Sequence, residues 1–122
     1  MKLKSTDSAF SRYIRQVDSI DDICTCPLCG TRGHWTTFQA GHYIKRRHLA
    51  TRWNRDNVFA ICADCNSRME NDSGLLEKYG RWIAERIGPQ RWRELMNLRL
   101  VDGKMMQHEV NEIEKHYLKL LK

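Results

Sequence analysis

The amino-acid sequence predicts an α+β fold on three observations. Two Cys-x-x-Cys pairs, CPLC at 26–29 and CADC at 62–65, enclose a stretch rich in threonine and aromatic residues. Such a stretch favours β-strands, whereas the residues from Ala63 onward carry apolar side chains at helical spacing. With 122 residues, the chain has the size of one domain with one modest core. We therefore expect a small sheet beside the cysteines, with helices packed against it.

The N-terminal segment, residues 1–23, predicts a short amphipathic helix. Phe10, Ile14 and Val17 recur at spacings of four and three, as they would on one face of a helix. Three polar residues before them are candidate N-caps: Ser5, Thr6 and Asp7. The acidic stretch 18–22 is expected to end this helix.

The cysteine spacing predicts a zinc site rather than disulfides. The chain has five cysteines, an odd number, and no secretion signal. Both observations argue against a disulfide framework. The gap of two residues in each pair lets both sulfurs point at one tetrahedral ion, so two pairs complete a four-cysteine site. Its predicted ligands are Cys26, Cys29, Cys62 and Cys65. Cys24 is expected to be a half-buried free thiol, and a redox role is disfavoured because CPLC opens no strand-turn-helix pattern.

The segment between the two pairs predicts a hairpin. HWTTFQAGHYI (34–44) favours one or two strands with a tight point at Gly41, and NVFAI (57–61) favours a returning strand that leads into the second pair. A cysteine knuckle, a hairpin and a helix carrying the second knuckle form the treble-clef arrangement. We expect the first half of the chain to need zinc for its shape.

The C-terminal part, residues 74–122, predicts three helices. An apolar stripe runs to Gly88-Pro89, where glycine ends one helix and proline starts the next. A turn at Asp102-Gly103 is expected before a last helix. The stripe residues of that last helix are Met106, Val110, Ile113, Tyr117 and Leu121. We expect a single domain over 1–122, in which 24–73 is the zinc-containing core.

The charge distribution predicts a nucleic-acid partner. The net charge of +6 is concentrated between Cys24 and Arg55, where no aspartate or glutamate occurs. Such a block favours contact with a polyanion over a solvated mixed-charge face. The predicted DNA-binding residues are Lys45, Arg46, Arg47, His48, Arg52 and Arg55. For Arg52, cation-π packing on Trp53 is an equally weighted alternative.

Three polar residues complete a motif within this frame: His42 on the first strand, Asn57 before the returning strand and Asn66 after the last cysteine. The motif resembles the His-Me finger (HNH) nucleases. The segments CPLCGT, AGHY, RWNRDNVFAICADCN and RWIAERIG resemble, more narrowly, the phage NinG/Rap recombination nucleases. The zinc-plus-asparagine layout is also similar to phage junction-resolving endonucleases. The resemblance spans about residues 8–97 and leaves out the last helix.

The resemblance implies a zinc-stabilised treble-clef ββα-metal finger with additional packed helices, and a role for each polar residue. His42 would be the general base, Asn57 would hold the backbone around His42, and Asn66 would bind a catalytic Mg²⁺ or Mn²⁺ close to His42. Many relatives place a metal-binding aspartate directly before the base, where this chain has Gly41. The nearest carboxylates in sequence are Asp56, Asp64, Glu70 and Asp72.

Each of these residues also has a purely structural interpretation. His42 could be a satisfied structural histidine, Asn57 part of an ordinary turn, and Asn66 a helix cap. The other four histidines have no comparable motif, although His48 is a candidate phosphate contact.

The sequence as a whole predicts a metal-dependent DNA endonuclease, by resemblance one directed to branched recombination intermediates. The alternative is a zinc-containing nucleic-acid-binding module without catalysis. Two symmetric cuts would suggest a homodimer formed through the C-terminal helices. No apolar run is long enough to span a bilayer and no signal-peptide pattern is present, so we expect no membrane partner and a cytoplasmic phage or prophage protein.

Overall fold

The computed structural model describes residues 1–101 and 103–122. Within these residues the chain forms six α-helices and two separate antiparallel sheets of two strands, which confirms the α+β class. The predicted turn at Asp102-Gly103 includes Asp102, which lies outside the described residues. The elements in chain order are α1 (Lys4–Val17), β1 (Ile23–Thr25), β2 (Arg32–His34), β3 (Phe38–His42), α2 (Leu49–Arg52), β4 (Val58–Cys62), α3 (Ala63–Arg68), α4 (Ser73–Ile87), α5 (Pro89–Arg99) and α6 (Gln107–Leu120).

Helix α1 begins at Lys4, so the predicted N-caps lie inside its first turn and that prediction is wrong. The N-cap position is Leu3, which makes no side-chain capping bond. The polar side chains of the first turn serve other elements instead. The Ser5 and Thr6 hydroxyls lie 2.5 and 3.1 Å from Glu114 Oε1 on α6. The helix ends at Asp18, as predicted.

Strands β3 and β4 pair antiparallel, with Gly41 opposite Phe59 and His42 opposite Val58. The expected tight point at Gly41 is not a turn, because Gly41 lies within β3. A Cβ atom there would come within 2.5 Å of Ile61 Cγ1, so glycine is required by close packing. The residues Trp35–Thr37, expected to be extended, form a 3₁₀ turn that the His34 side chain caps at its start.

Strand β4 lies at the centre of the molecule, and all five of its residues are buried. Phe59 and Ile61 belong to a core shared with α4 and α5, whereas Val58 belongs to a second core between α1 and α6. The side chains that α1 and α6 bring to this second core are Phe10, Ile14, Val110, Ile113 and Tyr117. Strand β4 thus pairs with β3 and contributes side chains to both cores, so it connects the β3–β4 sheet to the helices.

Most of the predicted apolar stripe of α6 packs against other parts of the chain. Val110 is fully buried, and Ile113 and Tyr117 pack against α1. Leu118 and Leu120, which lie off the stripe, stay about half exposed. A homodimer through α6 would therefore have to use residues other than the buried part of the stripe.

The helix boundaries of the C-terminal part follow the predicted signals. Gly88 adopts a φ of +87°, a conformation that favours glycine, and Pro89 opens α5. The Asp72 side chain accepts a hydrogen bond from the Leu75 amide and so caps α4. None of the helices in the described ranges is both long and apolar enough to cross a lipid bilayer.

Candidate functional site

Four cysteine side chains meet at the junction of β1, β2, β4 and α3. The sulfur atoms of Cys26, Cys29, Cys62 and Cys65 all lie within 4.8 Å of one another. A tetrahedral zinc ion with Zn–S bonds of about 2.3 Å separates its sulfurs by about 3.8 Å, and the Cys29 and Cys62 sulfurs are 3.6 Å apart. All four thiols are free of disulfides. The cluster could therefore bind a zinc ion with the predicted ligand set.

Position, rather than pKa, separates the four clustered cysteines from the fifth thiol, because burial raises the pKa of Cys62 and Cys65 as it does that of Cys24. Hydrogen bonds with Thr31 lower the pKa of the exposed Cys29 to about 6. Cys24 lies outside the cluster, is 1% exposed and donates to the Arg15 carbonyl oxygen at 3.3 Å. Burial raises its pKa to about 11. Cys24 is thus a buried neutral thiol, more deeply placed than the half-buried position predicted.

His42 lines a cleft of about 600 Å³ between α1, β3 and α3. Its Nε2 atom lies 2.8 Å from the carbonyl oxygen of Arg52. A carbonyl only accepts hydrogen bonds, so in the neutral ring Nε2 carries the hydrogen and Nδ1 keeps the lone pair. Burial lowers the pKa of His42 more than the carbonyl groups of Arg52 and Ala40 raise it. The imidazole is therefore neutral at pH 7 and able to accept a proton.

The backbone that holds His42 is fixed by an ion pair with α1. Both oxygens of the Asp7 carboxylate accept from the Arg52 guanidinium, at 2.9 and 2.5 Å. The same carboxylate accepts from Trp53 Nε1 at 3.0 Å, and Arg52 also donates to the Arg46 carbonyl oxygen. Burial alone would raise the pKa of Asp7, but the hydrogen bonds and charge of Arg52 outweigh it and lower the pKa.

Asn57 is fully buried and binds the backbone of the chain that follows His42. Its Oδ1 atom accepts from the Ile44 amide at 2.7 Å. Its Nδ2 atom donates to the carbonyl oxygens of Ile44 and Thr51, both at 3.1 Å. One side chain thus joins the end of β3 to α2, and these contacts are the kind expected of a positioning residue.

Asn66 lies on α3 at the same cleft as His42. Its Nδ2 atom donates to Gln39 Oε1 at 2.8 Å. Its Oδ1 atom lies 3.4 Å from the point where a Cβ atom of Gly41 would stand. Gly41 is therefore adjacent to Asn66. The side-chain oxygen atoms at this point belong to the amides of Asn66 and Gln39. Gln39 was not among the predicted site residues, although alternation along β3 places it on the same strand face as Gly41.

One of the four carboxylates nearest to the motif in sequence lines the cleft, namely Glu70. Asp56 pairs with Arg91 on α5, and Asp64 is exposed beside Arg68. Asp72 caps α4. In the described part of the chain, the four cysteines are the one group of three or more His, Cys, Asp or Glu residues close enough to share a metal.

Tyr79 belongs to the apolar stripe that runs to Gly88-Pro89, but its hydroxyl makes buried polar contacts. Its hydroxyl donates to the Gly41 carbonyl oxygen at 2.6 Å and accepts from the Phe59 amide at 3.1 Å. Burial raises the pKa of Tyr79 far above its usual value, so the hydroxyl keeps its hydrogen. It links β3 to β4 directly before His42. The sequence signal was a tyrosine among leucines and isoleucines, which does not distinguish this role from packing.

The predicted DNA-binding residues fall into two groups. The basic turn, which we define as Lys45, Arg46 and Arg47, is exposed between β3 and α2, with His48 half-buried beside it. Arg52 is bound to Asp7 and lies 5.5 Å from the centre of the Trp53 ring, so the packing alternative is present. Arg55 pairs with Asp18, lies 4.2 Å from the Phe59 ring centre and donates to the Val58 carbonyl oxygen at 2.8 Å.

The remaining histidines stand apart from the cleft. His34 is exposed and caps the 3₁₀ turn, and His108 and His116 are exposed on α6. Of the predicted site residues, the structure brings together His42, Asn66, Lys45 and Arg46 around one cleft. Asn57 does not line that cleft. Two cysteines of the cluster belong to the helix that carries Asn66, Cys62 as its N-cap and Cys65 within it.

Comparison with known proteins gives a family match over nearly the whole chain. No curated protein and no solved structure matches the chain significantly. The family model described as Bacteriophage Lambda NinG protein matches residues 2–122. The match includes the last helix, which the sequence motifs had left outside the resemblance. The chain therefore belongs to the phage lambda NinG family.

Proposed function

We propose that this protein is a metal-dependent DNA endonuclease of the His-Me finger type. The observation that carries the proposal is one cleft that contains a neutral histidine, an asparagine amide and two basic residues of the exposed turn. Strands β3 and β4 and helix α3 would form the ββα-metal element. The hairpin β1–β2, the cysteine cluster and α3 would complete a zinc-stabilised treble clef.

The chemistry follows from the state of each group. His42 Nδ1 would take a proton from water, and the resulting hydroxide would attack phosphorus and displace the alkoxide of the cleaved strand. Arg52 holds the histidine ring through its carbonyl group, and Asn57 and Tyr79 fix the backbone on either side of His42. The basic turn would hold phosphates beside the cut.

A catalytic Mg²⁺ or Mn²⁺ fits the donors at the cleft, since both ions prefer oxygen ligands. The residues that would hold it are Asn66, Gln39 and Glu70, which line the same cleft as His42. Such an ion would neutralise charge on the phosphate and the leaving oxygen. Few carboxylates contribute, so substrate phosphates and water would supply the other ligands.

Few carboxylates line the cleft, and of the four nearest to the motif in sequence only Glu70 does so. This observation favours one alternative function. In that alternative the protein is a zinc-containing nucleic-acid-binding module without catalysis. Both functions predict DNA binding, and cleavage separates them.

By family, branched recombination intermediates such as four-way junctions or flaps are the proposed substrates. Paired cuts on such DNA would require two copies of the chain, so a homodimer on DNA is part of the proposal. The protein would act in the cytoplasm of a phage-infected or lysogenic bacterium.

The deciding experiment uses labelled duplex, single-stranded, flap and four-way junction DNA with Mg²⁺, with Mn²⁺ or with neither. An EDTA arm is informative when zinc content is measured alongside. We expect cleavage that needs the added cation. His42→Ala should lower the rate by at least about 10²-fold while DNA affinity and zinc content stay near normal. His108→Ala, an exposed histidine on α6, is the matched control and should be silent.

The pH profile and the metal response add two independent checks. Because the pKa of His42 is lowered, the rate should rise with pH, with a midpoint below the ordinary imidazole value of about 6.5. Asn66→Ala should regain activity at high Mg²⁺ or with Mn²⁺, whereas His42→Ala should not. Wild-type protein that binds but cuts no DNA would favour the non-catalytic module, and an active His42→Ala variant would place the base elsewhere.

A further inference from the structure

Helix α1 presents a polar stripe to the cleft. Four residues at spacings of four, three and four line the same cleft as His42: Lys4, Ser8, Ser11 and Arg15. This spacing keeps all four on one helical face. Ile14, on another face of the helix, is buried in the core and does not line the cleft.

The charge on this stripe is not neutralised within the described part of the chain. Lys4 and Arg15 make no ion pair there, whereas the two acids of α1 and its C-cap, Asp7 and Asp18, are bound to Arg52 and Arg55. The helix thus directs its negative charge into ion pairs and leaves its positive charge at the cleft. Lys45 and Arg46 line the same cleft, and Glu70 is the one acid there without an ion pair among the described residues.

Arg15 is oriented before any ligand arrives. Its Nε atom donates to the carbonyl oxygen and the hydroxyl of Ser11, at 3.2 and 3.1 Å. Its guanidinium carbon lies 5.2 Å from the centre of the Trp35 ring. The two terminal nitrogens make no hydrogen bond to any described residue, so they can bind an anion with little loss of side-chain entropy.

We infer that the α1 stripe is a second part of the nucleic-acid site and binds the sugar-phosphate backbone together with Lys45 and Arg46 of the basic turn, which line the same cleft. Lysine, arginine and serine side chains are the usual donors to phosphate oxygens. From Lys4 to Arg15 the helix rises about 16 Å, which equals the axial rise of about five nucleotides of one strand. The inference rests on the proposed function in that both place nucleic acid in this cleft.

The test measures binding rather than cleavage. In a His42→Ala background without divalent cation, the affinity for labelled duplex and single-stranded DNA is measured against salt concentration. Lys4→Ala should flatten the slope of log K against log salt by about 0.9 on duplex and about 0.7 on single strands. Ser8→Glu, at an exposed position, should weaken binding at least as much by repulsion.

Arg12→Ala is the matched control, because it removes the same charge from the same helix at an exposed position that does not line the cleft. Its slope should stay unchanged. An Arg12→Ala slope as flat as that of Lys4→Ala would show that net charge alone acts, and unchanged binding in Lys4→Ala and Ser8→Glu would overturn the inference. If wild-type protein never cuts DNA but Lys4→Ala still flattens the slope, the catalytic proposal fails and the inference about the α1 stripe stands.

Discussion

The two principal residues of the candidate site are held in place by different means. Asn66 follows Cys65 directly on α3, so its position depends on the four-cysteine cluster that includes Cys65. His42 is held by the Arg52 carbonyl group, and Arg52 is held by Asp7, which lies 45 residues earlier in the chain. One side of the cleft thus depends on a cysteine cluster that could bind zinc, and the other depends on an ion pair.

This difference explains why the cysteine cluster could be predicted from the sequence, whereas the ion pair between Asp7 and Arg52 could not. A metal site repeats one residue type at fixed short spacing, because both sulfurs of each pair must reach one ion. An ion pair between distant elements leaves no local pattern. The same distinction divides the basic residues, since Arg52 and Arg55 are bound to acids of the N-terminal segment while the basic turn is exposed.

The largest expected effect is loss of the cysteine cluster. Cys65→Ser should release zinc and unfold at least the β1–β2 hairpin and α3. Structural zinc contributes about 10–16 kcal/mol of binding free energy in small zinc peptides, comparable to the whole stability of a domain, about 5–15 kcal/mol. Metal analysis and circular dichroism measure both outcomes. Cys24→Ser, outside the cluster, is the control and should keep its zinc. Wild-type protein that purifies without zinc, or a Cys65→Ser variant with normal zinc content and melting temperature, would contradict the prediction that the cluster is a structural zinc site.

The second effect is loss of the ion pair on the His42 side. Arg52→Ala leaves the Asp7 carboxylate half-buried without its partner, so we expect a stability loss of about 2–3 kcal/mol, somewhat below the range for fully buried pairs. The side chains of Arg52 and Asp7 are 14% and 22% exposed, which justifies the lower figure. Zinc content should stay normal while cleavage falls. Urea unfolding measures the change, and Arg47→Ala, fully exposed, should stay within about 0.5 kcal/mol of wild type.

The pH dependence of the same variants sharpens this prediction. The pKa of Asp7 is lower in the folded state than the ordinary value of 3.8. Its stabilising contribution is therefore complete above the unfolded pKa and is lost as the pH falls through the folded pKa. The stability difference between wild type and Asp7→Asn should be constant near neutral pH and shrink in acid. A difference that grows in acid would mean that Asp7 acts in another way.

The smallest effect concerns the exposed basic turn. Replacing Arg46 or Arg47 by alanine should leave stability unchanged and flatten the salt slope of duplex binding by about 0.9 for each phosphate that the variant no longer binds. Fluorescence anisotropy at several salt concentrations measures this. If Arg55→Ala flattened the slope as much and left stability unchanged, the division between ion-paired and exposed basic residues would be wrong.

Much of the framework could be predicted from local patterns. The cysteine cluster, the pairing of β3 with β4 and the Gly88-Pro89 helix boundary follow from spacing, strand propensity and backbone preference. Each of these features leaves a short, regular pattern in the sequence, so the sequence was enough to predict them. The first-turn caps of α1 could not be predicted, because the Ser5 and Thr6 hydroxyls bind Glu114, more than a hundred residues away.

The tertiary structure alone decided which residues surround the candidate site. The acid-free block between Cys24 and Arg55 has no internal acidic partner, yet packing of α1 on β3 and β4 brings Asp7 to Arg52 and Asp18 to Arg55. Packing of α4 likewise brings the Tyr79 hydroxyl to Gly41, and packing of α1 brings Lys4 and Arg15 to the cleft. The ion pairs, the position of the Tyr79 hydroxyl and the residues lining the cleft all depend on contacts between distant elements. The local sequence does not indicate such contacts, because any of several acids or hydroxyls could have made them.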